Sequence, residues 1–119
     1  MKIVCQKSEL LNGVNIALKA IPAKTTMPIL ECIVIEASDT GIKLTANDME
    51  LGIETLVKGD VVSNGVIAIN AKIFAEIIRK LPDSDITLEC DDNFQMTIRC
   101  EKSVFQIAGK SSDEFPSLP

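Results

Sequence analysis

One order of elements, strand, helix and three strands, occurs twice along this chain and constrains its fold more than any other feature. Residues 2–6 have strand character, and a helix over residues 9–20 follows, with Ser8 as its N-cap. Its apolar positions Leu10, Leu11, Val14, Ala17, Leu18 and Ile21 form one continuous helical stripe. Pro22 and Pro28 bracket a loop, after which residues 29–37, 42–47 and 51–58 read as strands. The order then restarts with a short strand at 66–69 and a helix at 71–80, capped by Asn70 and closed by Pro82. That helix carries the stripe Phe74, Ile77, Ile78 and Leu81, and residues 85–90, 94–100 and 103–108 supply three more strands. The two halves differ in sequence, so what is duplicated is topology.

Two βαβββ units have an economical solution. Each helix has one apolar stripe and each three-stranded run one apolar face, so both helices can lie side by side against one side of antiparallel sheet. The fold expected is α+β. A chain of 119 residues, 46% hydrophobic, suits a single domain with one shared core, spanning residues 1–119. One side would then be helical and the other open sheet, two surfaces free to carry different charge.

Composition removes several functions. There is no His, Trp or Tyr, so the usual general base near neutral pH and the commonest metal ligand are both missing. Cys5, Cys32, Cys90 and Cys100 have no CxxC spacing and fall in phase with apolar strand neighbours, which reads as core filler rather than a metal site or a disulfide framework. No nucleophile, base and orienting group can be assembled from the spacing, so no catalytic residue, metal ligand or cofactor is assigned. The N-terminus has no apolar signal region, and no stretch approaches the roughly 18 residues needed to span a bilayer, so a cytoplasmic protein without membrane contact is expected.

The net charge of −5 hides an asymmetry. The helices and their flanks hold Lys7, Lys19, Lys24, Lys72, Arg79 and Lys80 against Glu9 and Glu76, a balance of +4, whereas the remainder has six basic and fifteen acidic residues, a balance of −9. Such a molecule offers its helical layer to a polyanion and repels it elsewhere. Lys72 and Arg79 share the face opposite Phe74 and Ile78, with Lys80 toward one side. Ordinary pairing of Glu76 with Lys72, Arg79 or Lys80 is the competing explanation of those charges. No aromatic is available on the polar face to stack bases and no Arg pair to read guanine, so any DNA contact would be nonspecific.

With these features in place, the sequence resembles the N-terminal domain of the bacterial DNA polymerase III beta subunit, the replication sliding clamp. The resemblance runs over the whole chain, through the opening Met1-Lys2 and Leu10-Leu11, Met27-Pro28-Ile29-Leu30, Leu44-Thr45-Ala46-Asn47-Asp48-Met49-Glu50, Ala71-Lys72-Ile73-Phe74, Leu81-Pro82 and Asp113-Glu114-Phe115-Pro116-Ser117-Leu118. It implies the DNA-clamp fold and a ring of two subunits, joined head to tail and each of three such domains, that encircles double-stranded DNA and tethers the replicative polymerase. Such a protein is a processivity factor, an accessory subunit of the polymerase holoenzyme rather than an enzyme.

Carried over residue by residue, the resemblance makes Lys24, Lys72 and Arg79 the first DNA-facing candidates and Lys19 and Lys80 the second. Phe105 matches an aromatic that the family packs into the subunit interface, with Ile107 as its same-face neighbour; a plain core aromatic is the other reading of Phe105. Ile73 and Val104 stand where related clamps can carry a base, so Ile73 is expected to give the partner an apolar contact instead. Residues 111–119 are expected to begin an interdomain linker of a longer subunit. Polymerase and clamp loader would then dock on later domains. A different class of protein, a small acidic interaction module that recruits partners through an open sheet edge, is left open by the residues themselves.

Overall fold

The computed structural model describes residues 1–118 of the chain. β1 (Lys2–Gln6) runs without a break into α1 (Lys7–Ala17), and a 3₁₀ turn, Leu18–Ala20, finishes the helical segment. A second 3₁₀ turn, Pro28–Glu31, precedes β2 (Cys32–Ser38), β3 (Gly41–Asn47), β4 (Gly52–Val57) and β5 (Asp60–Ser63). β6 (Gly65–Asn70), α2 (Ala71–Lys80), β7 (Asp85–Cys90), β8 (Gln95–Cys100) and β9 (Ser103–Ala108) complete the order.

All strand pairings are antiparallel, and they form two sheets rather than one surface. One sheet has the order β5-β1-β7-β8-β9 and the other β4-β3-β2-β6. The α+β class and both βαβββ units stand. The division arises because β1 pairs with β7 of the second unit while β6 pairs with β2 of the first. Each unit thus lends its opening strand to the other's sheet, and the halves cannot fold apart without breaking both.

Alternation along the strands aims one face of each sheet at a common core. Ile3, Ile86, Leu88, Met96 and Ile98 come from one sheet, and Ile33, Ile35, Ile42, Leu44, Ile67 and Ile69 from the other. Leu10, Val14 and Ala17 of α1 and Ala71, Phe74, Ala75 and Ile78 of α2 fill the same core, as the stripes require. A smaller cluster of Ile29, Leu30, Cys32, Val34 and Ala68 lies apart from it, with Phe115 packed against it. The segment after β9 reaches this cluster by a two-residue antiparallel bridge, Ala68 to Lys110, and Asn47 Nδ2 then donates to the Ser117 carbonyl.

Four local expectations are corrected. α1 starts at Lys7, not residue 9, and its N-cap is Gln6 without any side-chain cap, so Ser8 lies inside the first turn. The first residues assigned to the second strand form the 3₁₀ turn, because Pro28 at its start favours helical φ. The loop before β6 holds a further strand, β5, that pairs with β1. The segment 18–20 is 3₁₀ rather than α-helical. Asn70, by contrast, caps α2 as expected, its Oδ1 accepting from the Ile73 N–H at 3.0 Å.

Candidate nucleic-acid interface

The helical layer is built from two exposed stripes. On α1 and its 3₁₀ extension Ser8, Asn12, Asn15 and Lys19 are exposed at helical spacing, a row with no carboxylate. On α2 the exposed residues are Lys72, Ile73, Glu76, Arg79 and Lys80. The burial of Phe74, Ala75 and Ile78 turns that row outward. Lys24 is exposed in the loop that follows the first stripe. Lys72 borders that loop: with Ile21, Pro22, Ala23, Glu31 and Asn70 it lines a small hollow one residue from Lys24.

All five candidate bases, Lys19, Lys24, Lys72, Arg79 and Lys80, are therefore exposed, and none of them takes part in an ion pair among the described residues. The ion pairs that do form join Lys43 to Glu36 and Glu54, and Arg99 to Glu89, all on strands. Among the described residues Glu76 forms no ion pair within 4.0 Å with Lys72, Arg79 or Lys80, so the competing explanation of the helix charges finds no contact here. Lys7 behaves differently from the other bases: its Nζ donates to the Arg79 carbonyl at 3.0 Å and the Leu81 carbonyl at 2.7 Å. These are carbonyls at the end of α2, where the helix leaves acceptors unpaired and its dipole is negative. Its charge holds the helix pair together.

Arg79 makes a second tie across the same seam, Nη2 donating to Asn15 Oδ1 at 3.2 Å. Sequence reasoning missed Asn15 and the engagement of Lys7, because both partners lie more than sixty residues away. The signal available was the uncharged polar stripe of α1, which has no packing reason to avoid carboxylates.

The interface candidates fall elsewhere. β9 is the edge of its sheet, with one side unpaired. Phe105 and Ile107 are half-buried, packed on the main core opposite Ile98 and Met96 of β8, while Val104 is exposed. Ile73 is 49% exposed on α2, an apolar side chain among charges, as its place off the buried stripe required. Phe105 thus contributes to the core and retains a face at the sheet edge.

No group of three or more His, Cys, Asp or Glu side chains is placed to hold a metal among the described residues. The thiols are not activated. Burial, with Asp85 and Glu9 nearby, pushes Cys5 up to about 12. Desolvation also raises Cys32, Cys90 and Cys100. No helix among the described residues is long and apolar enough to cross a membrane.

Two βαβββ units sharing one core, with paired helices on one side and antiparallel sheet on the other, define a domain of the sliding-clamp fold. The chain belongs to the DNA polymerase III beta subunit family, whose N-terminal domain it matches over residues 1–119. It is 39% identical to the beta sliding clamp of Halalkalibacterium halodurans, covering 100% of this chain and 33% of that one. To the beta sliding clamp of Bacillus subtilis it is 36% identical, covering 100% and 34%. The solved structure of the Bacillus subtilis DNA polymerase sliding clamp superposes with a TM-score of 0.95 at 35% identity, over 100% of this chain and 33% of that one. A crystal structure from Eubacterium rectale does so with a TM-score of 0.97 at 58% identity, again over 100% and 33%. The chain spans about a third of the length of the relatives it matches.

Proposed function

We propose that this chain is the first domain of a three-domain subunit, two of which close head to tail into a ring around duplex DNA and tether the replicative polymerase. It acts as a processivity factor in the cytoplasm, without catalysis or cofactor. The observation that carries this reading is the exposed, unneutralised positive charge of the helical layer on an otherwise acidic molecule. Lys24, Lys72 and Arg79, seconded by Lys19 and Lys80, face the phosphates and make no base contact. Long-range attraction of this kind holds the duplex without fixing the ring at one sequence, so sliding is retained. Residues 111–119 serve as the start of the link to the next domain, Pro119 lying outside the described residues.

The partner subunit is met along the β9 edge, through the exposed faces of Phe105 and Ile107, with Ile73 as an added apolar contact. An exposed strand edge with an apolar row suits strand-to-strand addition. Polymerase and clamp loader engage the later domains.

The test is charge reversal of Lys24, Lys72 and Arg79 to Glu in the complete subunit, read by its loading onto circular duplex and by its equilibrium binding to short linear duplex. Loading should weaken, and the slope of log affinity for linear duplex against log salt should fall by about 0.9 for each cation removed. Unchanged loading and slope would remove these residues from the lining. Phe105→Ala in the same subunit should raise the dimer dissociation constant, and an unaltered constant returns Phe105 to the core alone.

A further inference from the structure

We propose that Asn15 is a positioning residue that holds the Arg79 guanidinium in place for a DNA phosphate without cancelling its charge; this rests on the DNA-facing reading of the helical layer. The tie crosses from α1 to α2, 64 residues apart, with Nη2 at 3.2 Å from Oδ1. A guanidinium has five N–H donors, so this bond leaves most of the fork for phosphate oxygens. The choice of acceptor is what gives the arrangement its meaning. Glu76 stands one turn before Arg79 on the same exposed face, yet no carboxylate lies within 4.0 Å of the guanidinium among the described residues. A neutral amide orients the group and leaves the full positive charge for the polyanion.

The backbone of Arg79 is held from the same helix, because the Lys7 ammonium donates to its carbonyl and to that of Leu81. The two bases at this seam thus divide the work. Lys7 spends its charge on the end of α2 and fixes the spacing of the helices, and Arg79, with backbone and side chain both anchored on α1, keeps its charge for a ligand. An exposed arginine ordinarily loses rotamer freedom when it engages a phosphate, and an arginine already held loses less.

The test uses Asn15→Ala, Asn15→Asp, Arg79→Ala and the Asn15→Ala/Arg79→Ala double variant. Each is titrated with a short mixed-sequence duplex at low and graded salt, and the Arg79 Nε relaxation is measured in the free chain. Asn15→Ala should weaken binding about two- to tenfold, the cost of ordering one side chain. Its salt slope should stay unchanged because no charge is lost, and Arg79 Nε should become mobile. Arg79→Ala should lower both affinity and slope, the slope by about 0.9. In the Arg79→Ala background, Asn15→Ala should do nothing further. Asn15→Asp should keep Nε ordered yet lower the slope by a similar amount, since the carboxylate neutralises the guanidinium. Affinity lost with Arg79 but kept without Asn15, or lost equally in both backgrounds, overturns the positioning role alone. Duplex affinity unaltered by Arg79→Ala overturns the DNA-facing assignment of Arg79 and the positioning role with it.

Discussion

Gly13 sets how closely α1 lies against β3 and β4, and Gly13→Ala measures that closeness. It is fully inside the first helix, where alanine would ordinarily gain about 1 kcal/mol over glycine. A Cβ at this position would sit 2.7 Å from Val57 Cγ2 and 3.2 Å from Leu44 Cδ1. Leucine can turn its terminal methyl aside, but Val57 is β-branched, stiff at χ1 and buried on β4. Overpacking of this kind costs about 1–3 kcal/mol, so the net effect is a loss of up to about 2 kcal/mol. The urea midpoint should drop, by about 0.3–1 M for each kcal/mol. The decisive comparison is the Val57→Ala background, where the 2.7 Å obstacle is gone. There Gly13→Ala should become neutral or stabilising by up to about 1 kcal/mol, so the two substitutions couple strongly. A Gly13→Ala change of the same sign and size in both backgrounds would refute the close approach of α1 to β4.

Two further outcomes are expected. Asn47 is fully buried and accepts from the Met49 N–H at 2.8 Å while donating to the Ser117 carbonyl at 3.2 Å, so Asn47→Ala should cost about 1–3 kcal/mol. It should also speed amide exchange near Phe115, and unchanged exchange there would sever Asn47 from the C-terminal segment. For Cys5, the unfolded thiol ionises near 9.0 and the folded one holds its proton to about 12. Unfolding therefore releases a proton between those values, and stability falls as pH rises through that window, by roughly 1.4 kcal/mol per unit from this group. Below pH 9 the group adds no slope. Urea melts of wild type and Cys5→Ala should accordingly be parallel at neutral pH and diverge in slope above 9; curves parallel throughout would contradict the burial of the thiol.

What the sequence disclosed follows the range of the forces involved. α2 was legible to the residue because Asn70, the Phe74-Ile77-Ile78 stripe and Pro82 are all local signals, and each acts where it stands. Ser8 misled because a serine before an apolar run looks like a cap, whereas β1 enters the helix directly at Gln6 and leaves no room for one. β5 is four residues, half of them polar, and is stabilised by pairing with β1 rather than by any pattern of its own. The partition into two sheets depends on β1 meeting β7 and β6 meeting β2, pairings between distant segments that periodicity does not encode. The same division holds at the interface. The basic residues were visible as composition and helical phase, while the Lys7 and Asn15 ties that decide which charges remain available are long-range side-chain contacts.

The central claim is that the two-helix layer, and not the sheets, faces DNA. Backbone amide shifts recorded while a short duplex is added at low salt test it most directly. Perturbations should gather on residues 19–24 and 72–80 and along the exposed stripe of α1, fading as salt rises. Perturbations gathered instead on the outward faces of β2, β3 and β8, with the helices silent, would contradict it.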